Sequence, residues 1–125
     1  PTQLTGTASA EWVMDGRFVE STWRGEFMGS PFVGRSLDGY NPLTGKYESV
    51  WVDNQSPIIM RWEGELRDDG VLTLEGTNWD IWAGGQTTSR TESKQIDADT
   101  IHSVSYMVQP DGTEWKQMEI IAKRR

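Results

Sequence analysis

Hydrophobic and polar residues alternate along most of this chain with a period of two, the pattern of strands that have one covered and one wet face. Ile58, Met60, Trp62, Gly64 and Leu66 fall on one side of such a run, with Ile59, Arg61, Glu63 and Glu65 on the other. Val19, Trp23 and Phe27 share a side with Arg17, Ser21 and Gly25, opposite Glu20, Thr22, Arg24 and Glu26. Tyr47 and Trp51 oppose Val50 and Val52. His102, Val104, Tyr106 and Val108 oppose Ile101, Ser103, Ser105 and Met107. The pattern predicts nine strands, over residues 5–14, 17–27, 32–40, 46–52, 58–66, 71–76, 87–96, 100–108 and 113–123.

Turn signals separate these runs every dozen or so residues, among them Asp15-Gly16, Asn41 to Gly45, Asp68-Asp69-Gly70, Asn78 to Gly85 and Pro110-Asp111-Gly112. Short turns join only neighbouring antiparallel strands, so the cadence predicts a β-meander. Asp15-Gly16 is the pair expected to form a two-residue type I′ hairpin, because that turn needs φ > 0 at both centres. The best helical candidate, Glu114 to Ile121, reads equally as a strand, with Trp115 on one face and Met118 and Ile120 on the other. A meander this long must manage its edges, and closing into a barrel is the usual way. The expected fold is therefore all-β: an antiparallel barrel or half-open barrel of about nine strands.

Composition narrows the reading. A chain of 125 residues suits one domain, spanning 1–125. Only 35% of residues are hydrophobic, which fits a single sheet whose strands are polar at every second position. Seven Trp residues are many for this length, and Trp both fills thin cores and lines cavities. A net charge of −7 repels phosphate backbones, which argues against a nucleic-acid partner. The only basic run, Lys123-Arg124-Arg125, reads as a solvated end. The absence of Cys excludes disulfides, thiolate nucleophiles and Cys-ligated metals. No stretch is apolar enough to span a membrane, and no signal peptide is visible, so a cytoplasmic location is the expectation. The chain begins at Pro1 rather than Met, which is compatible with loss of an upstream piece.

Several segments together resemble a known family. They are Thr5-Gly6-Thr7-Ala8-Ser9-Ala10-Glu11-Trp12-Val13-Met14-Asp15-Gly16-Arg17-Phe18-Val19-Glu20, Gly25-Glu26-Phe27-Met28-Gly29, Leu37-Asp38-Gly39-Tyr40-Asn41 and Pro110-Asp111-Gly112 with Met118-Glu119-Ile120. The chain is similar to the DUF1579 family, bacterial proteins of unassigned function. The resemblance implies a lipocalin-like, or calycin, antiparallel barrel and implies no activity. Members of that family usually carry a segment ahead of this start, including a first strand. Its absence here leads us to expect an unpaired edge at residues 5–14. A homodimer is expected from it, with Pro1 to Leu4 folding back over the gap as the competing arrangement.

The candidate site follows from the strand faces. Trp23, Trp51, Met60, Trp62, Val104 and Tyr106 are expected to wall a pocket for a small, largely apolar molecule, with Arg35 and His102 supplying polar contacts. Arg35 shares a face with Val33 and Leu37, whereas Arg61 points away from Trp62 and reads as an outer residue. Trp79 and Trp82, placed in a Gly-rich loop, fit a lid, a plug or a subunit interface. His102 is the only His, and any acid–base chemistry in the cavity would use it, with Tyr106 or a carboxylate beside it. No nucleophile motif accompanies it, and a hydrogen-bonded wall residue is the commoner role. Asp68, Asp69, Asp97 and Asp99 lack calcium-loop spacing and read as turn caps. No cofactor and no metal are expected. The function classes are thus a binding module, an enzyme using the same cavity, and a homo-oligomeric interaction protein without a ligand.

Overall fold

A computed structural model of the chain describes residues 2–3 and 6–123. Thr5, the Phe27 side chain and Arg124-Arg125, on which some expectations touched, lie outside the described residues. Ten strands form one sheet: β1 (Thr2–Gln3), β2 (Gly6–Val13), β3 (Phe18–Phe27), β4 (Ser30–Asn41), β5 (Lys46–Asp53), β6 (Ser56–Leu66), β7 (Val71–Asp80), β8 (Gly85–Asp97), β9 (Thr100–Val108) and β10 (Glu114–Lys123). The order across the sheet is β1-β10-β9-β8-β7-β6-β5-β4-β3-β2. The nine predicted strands are present as an antiparallel meander, and no helix occurs among the described residues. The addition is β1, which pairs parallel with β10 through Thr2↔Met118 and Gln3↔Glu119.

That short strand bends the whole sheet. Gln3 lies on one edge strand and Gly6 begins the opposite edge strand. Three trans peptide steps span at most about 11 Å. The two edges must therefore approach each other, and the sheet curls into a half-barrel.

The turns depart from expectation in two places. Val13 pairs with Phe18 across a four-residue loop, and Met14, Asp15 and Gly16 all have positive φ (54°, 60° and 79°). The tight two-residue turn is instead Met28-Gly29, with φ of 52° and 81° between the paired Phe27 and Ser30. The second departure is Trp79, which is in β7 and pairs with Gln86 rather than lying in a loop. Asp80 closes that hairpin early. Its Oδ1 accepts from Trp82 N at 2.9 Å and Ala83 N at 3.2 Å, and its carbonyl accepts from Gly84 N at 2.9 Å. Asn41 and Gly45 build the β4–β5 turn in the same way.

Register defines two faces. One runs through Trp23↔Gly34, Ser36↔Trp51, Trp51↔Met60, Ser49↔Trp62, Gly64↔Leu74, Leu74↔Thr91, Thr91↔Ser105 and Ser105↔Met118. We call it the aromatic face. The other runs through Thr22↔Arg35, Val50↔Arg61, Glu63↔Glu75, Glu75↔Arg90, Arg90↔Tyr106 and Tyr106↔Lys116. We call it the charged face. A bulge between Lys116 and Met118 shifts parity, so Trp115 joins Met118 and Ile120 on the aromatic face, contrary to their expected opposition.

Aromatic side chains repeatedly cover strand glycines. A Cβ on Gly34 would overlap the Trp51 ring, one on Gly76 the Trp62 ring, and one on Gly39 the Phe18 ring. At Gly6, Gly64 and Gly76 the added carbon would also strike the carbonyl of the neighbouring strand (Arg24, Thr73 and Arg61). The sheet is bent toward the aromatic face at those three points, where only glycine fits.

The core is thin. Val104, 8% exposed, is the only buried hydrophobic side chain among the described residues. The surface measures 8779 Å², whereas a folded monomer of this mass exposes about 6,800 Å².

Candidate functional site

The aromatic face carries four of the ten predicted site residues, and they sit together. Trp23 meets Phe32 edge-on with ring centroids 5.7 Å apart, and Phe32 stacks on Trp51 at 6.3 Å. Met60 is directly opposite Trp51 on β6. Trp62 follows two residues on, half-buried like the others. Two of the three indole N–H groups are satisfied within the sheet. Trp51 Nε1 donates to Asp53 Oδ2 at 2.8 Å, and Trp62 Nε1 donates to Ser89 Oγ at 2.9 Å. What remains on this face is a run of π surface bordered by hydroxyls, including the Ser93–Ser103 pair at 2.8 Å.

Arg35, His102, Val104 and Tyr106 lie on the opposite, charged face. Trp79 also falls on that side, on the Glu75–Thr77 side of β7, and is 62% exposed. Trp82 occupies the β7–β8 turn and is 79% exposed. The aliphatic wall predicted from Val104 and Tyr106 is thus separated from the tryptophans by the thickness of the sheet.

On the charged face, Arg90 is the centre of a network that single-strand reading missed. Its guanidinium donates to Glu114 through Nε (2.8 Å) and Nη2 (2.7 Å), and to Glu92 through Nη1 (2.6 Å). It also lies 4.6 Å above the Tyr106 ring. Arg67 reaches the same Glu92 at 3.2 Å. The hydrogen bonds to Arg90 lower the Glu114 pKa, and those to Glu114 and Glu92 raise that of Arg90. These residues lie on β8 and β10 with Tyr106 of β9 between them, so only pairing brings them together.

His102 Nε2 meets Glu119 Oε2 at 2.5 Å. That bond, followed by the charge of Lys116 at 3.6 Å from the other carboxylate oxygen, lowers the Glu119 pKa. The pair can hold or pass a proton. No His, Cys, Asp and Glu cluster suited to a metal ion occurs among the described residues.

A shallow groove of about 520 Å³ also opens on the charged face, over Phe18, Leu37, Gly39, Val50 and Thr77. Glu48, Glu63 and Glu75 stand in one cross-strand row along it, beside Arg61. Like charges directly opposite one another cost stability, and Lys46, 3.6 Å from Glu63, offsets part of it. Of the ten predicted residues, only Trp62 borders this groove.

Of the four acidic turn residues, Asp97 and Asp69 act as caps. Asp97 accepts from Asp99 N at 2.8 Å, and Asp69 accepts from Val71 N at 3.2 Å and from Arg67 at 2.7 Å. Two asparagines were also invisible beforehand. Asn78 pairs with the Arg61 backbone through Oδ1 (2.8 Å) and Nδ2 (3.0 Å), where the β6–β7 ladder lapses. Asn54 does the same for β4, accepting from Val33 N and donating to the Pro31 carbonyl.

The fold and its faces define a class: a single antiparallel meander curled into a half-barrel, one face aromatic and the other charged. The chain belongs to the DUF1579 family, whose description is protein of unknown function and whose profile matches residues 1–124. No curated protein matches the chain.

Proposed function

We propose that the protein is a binding module that takes a small, largely apolar molecule on its aromatic face, in the manner of a lipocalin-like barrel. The carrying observation is the contiguous Trp23–Phe32–Trp51 stack continued by Met60 and Trp62, half-buried, with the Trp51 and Trp62 N–H groups already satisfied. Such a surface offers dispersion and stacking without demanding polar partners from the ligand. The excess of exposed surface supports the reading, because a hollow half-barrel gains most when something fills it. The polar contacts at this face come from Ser89, Asp53 and the β8–β9 hydroxyls, since Arg35 and His102 point the other way.

The test is a titration of Trp emission with an apolar dye such as anilinonaphthalene sulfonate. Quenching is expected, and Trp51→Ala should weaken it by roughly tenfold. His102→Ala and Arg35→Ala should leave it unchanged. A bound molecule that is turned over, with turnover abolished in His102→Ala, would favour the enzymatic reading instead. Absence of quenching by any apolar probe would end the binding-module reading.

A second reading rests on a different observation. Among the described residues, β2 is paired on one side only and exposes Trp12 (71%), Ala8 and Ala10, which fits a homodimer.

A further inference from the structure

β2 is an edge strand whose one protecting charge is Glu11. It has no Lys, no Pro and no bulge, and it keeps an unbroken register with β3 from Gly6↔Gly25 to Val13↔Phe18. The opposite edge does not shield it. β10 ends at Lys123, four residues past Glu119, whereas β2 ends at Val13, ten residues past the Gln3 that pairs with Glu119. Among the described residues, most of the β2 edge therefore meets no strand of its own chain.

The side chains of β2 carry a second pattern. Elsewhere in the sheet, Gly34, Gly39 and Gly76 each lie under an aromatic ring from a neighbouring strand. At Gly6, on the edge, the nearest atoms are backbone atoms of Arg24 and Gly25, as they are of Thr73 and Leu74 at Gly64. Trp12, on the same face six residues away, is 71% exposed with no glycine beneath it. The edge thus sets a glycine and an exposed tryptophan six residues apart on one face.

From these observations we infer that β2 pairs with β2 of a second copy of this chain, antiparallel about a two-fold axis through Ser9. The inference rests on the homodimer reading above and specifies its contact. A two-fold axis perpendicular to a sheet must pass through a residue, because paired residues share a face. Centred on Ser9, the pairing sets Trp12 opposite the partner's Gly6, and Gly6 opposite the partner's Trp12. Each ring then covers a glycine as Phe18 covers the Gly39 it faces. Ala8 meets the partner's Ala10, and Glu11 meets the partner's Thr7. Centring on Glu11 would oppose two carboxylates, which costs stability. The outcome is a sheet continuous across both copies, with the aromatic faces on one side. The surplus of about 2,000 Å² over an ordinary monomer surface exceeds the roughly 800 Å² that one partner buries in a standard interface.

The chain has no Cys, so single-cysteine variants report on the contact cleanly. Disulfide bridging needs Cα atoms within about 7 Å. Ser9→Cys should cross-link to a covalent dimer under mild oxidation, and Ala10→Cys, whose copies stand two residues out of register, should not. Trp12→Ala should weaken the dimer by roughly tenfold in sedimentation without changing the circular dichroism of the monomer. A dimer by sedimentation that cross-links through Ala10→Cys, or through neither variant, keeps the homodimer reading and overturns the Ser9-centred pairing. A mass near 14 kDa at micromolar concentration overturns both.

Discussion

Trp62 reaches over β7 to donate its indole hydrogen to Ser89 Oγ on β8, 2.9 Å away, and Gly76 is the residue it passes above. A side chain at position 76 would displace both the ring and the Arg61 carbonyl. The bond therefore ties three strands through one glycine, next to the point where the β6–β7 ladder gives out.

Two substitutions separate the parts of this arrangement. Ser89→Ala leaves the indole unpaired on a half-buried face and should cost about 1 kcal/mol. Gly76→Val adds an overlap that backbone atoms cannot avoid and should cost at least about 2 kcal/mol. Urea unfolding checks both. Equal costs would mean that the glycine has no packing role.

Asn78 replaces ladder hydrogen bonds for Arg61. Asn78→Ala should cost about 1–2 kcal/mol and speed amide exchange at Arg61 selectively. Unchanged exchange at Arg61 would show that water or another strand satisfies that amide.

Arg90 serves Glu92, Glu114 and the Tyr106 ring together, with a side chain only 20% exposed. Arg90→Lys keeps the charge but loses the fork, and should destabilise by about 1 kcal/mol; Arg90→Met should cost about 2 kcal/mol or more, because Glu114 loses its partner and Glu92 keeps only Arg67. Thermal unfolding of the two variants gives the comparison, and equal melting temperatures would remove the geometric argument.

Acid should act through the turn carboxylates. The hydrogen bond from Arg67, then that from Val71 N, holds the Asp69 pKa down to about 2 from 3.8. A pKa lowered on folding means that the ionised form is favoured in the folded state. The contribution is complete above the unfolded value and is lost as pH falls through about 2. Glu119 and Glu114 are lowered in the same direction by His102 and Arg90. Stability should fall as pH drops below the carboxylate range. Arg67→Gln should raise the Asp69 pKa in an NMR titration, and an unmoved Asp69 would assign its shift to the backbone bond alone.

What could be read from the sequence is what one strand determines within itself. Alternation placed Arg61 opposite Trp62 and set Val33, Arg35 and Leu37 on a common face, because successive side chains of a strand point to opposite sides. The strand at 100–108 is legible to the residue for the same reason, and the aspartate turn caps follow from local hydrogen-bonding chemistry. Tertiary pairing decided which face of one strand joins which face of the next. That parity depends on each loop's length and on each bulge, and neither is written in a strand's own pattern. The four-residue loop at Met14 to Arg17, the bulges at Gln95/Asp97 and Lys116/Met118, and the tight turn at Met28-Gly29 set it here. Hence Trp23, Trp51, Met60 and Trp62 gather on one side while Arg35, His102, Val104 and Tyr106 stand on the other. Arg90 finds Glu114 only because β9 lies between their strands, and Asn78 finds Arg61 only because a ladder ends there. Those contacts join residues far apart in the chain, and the registers that create them exist only once the sheet has closed around its own bends.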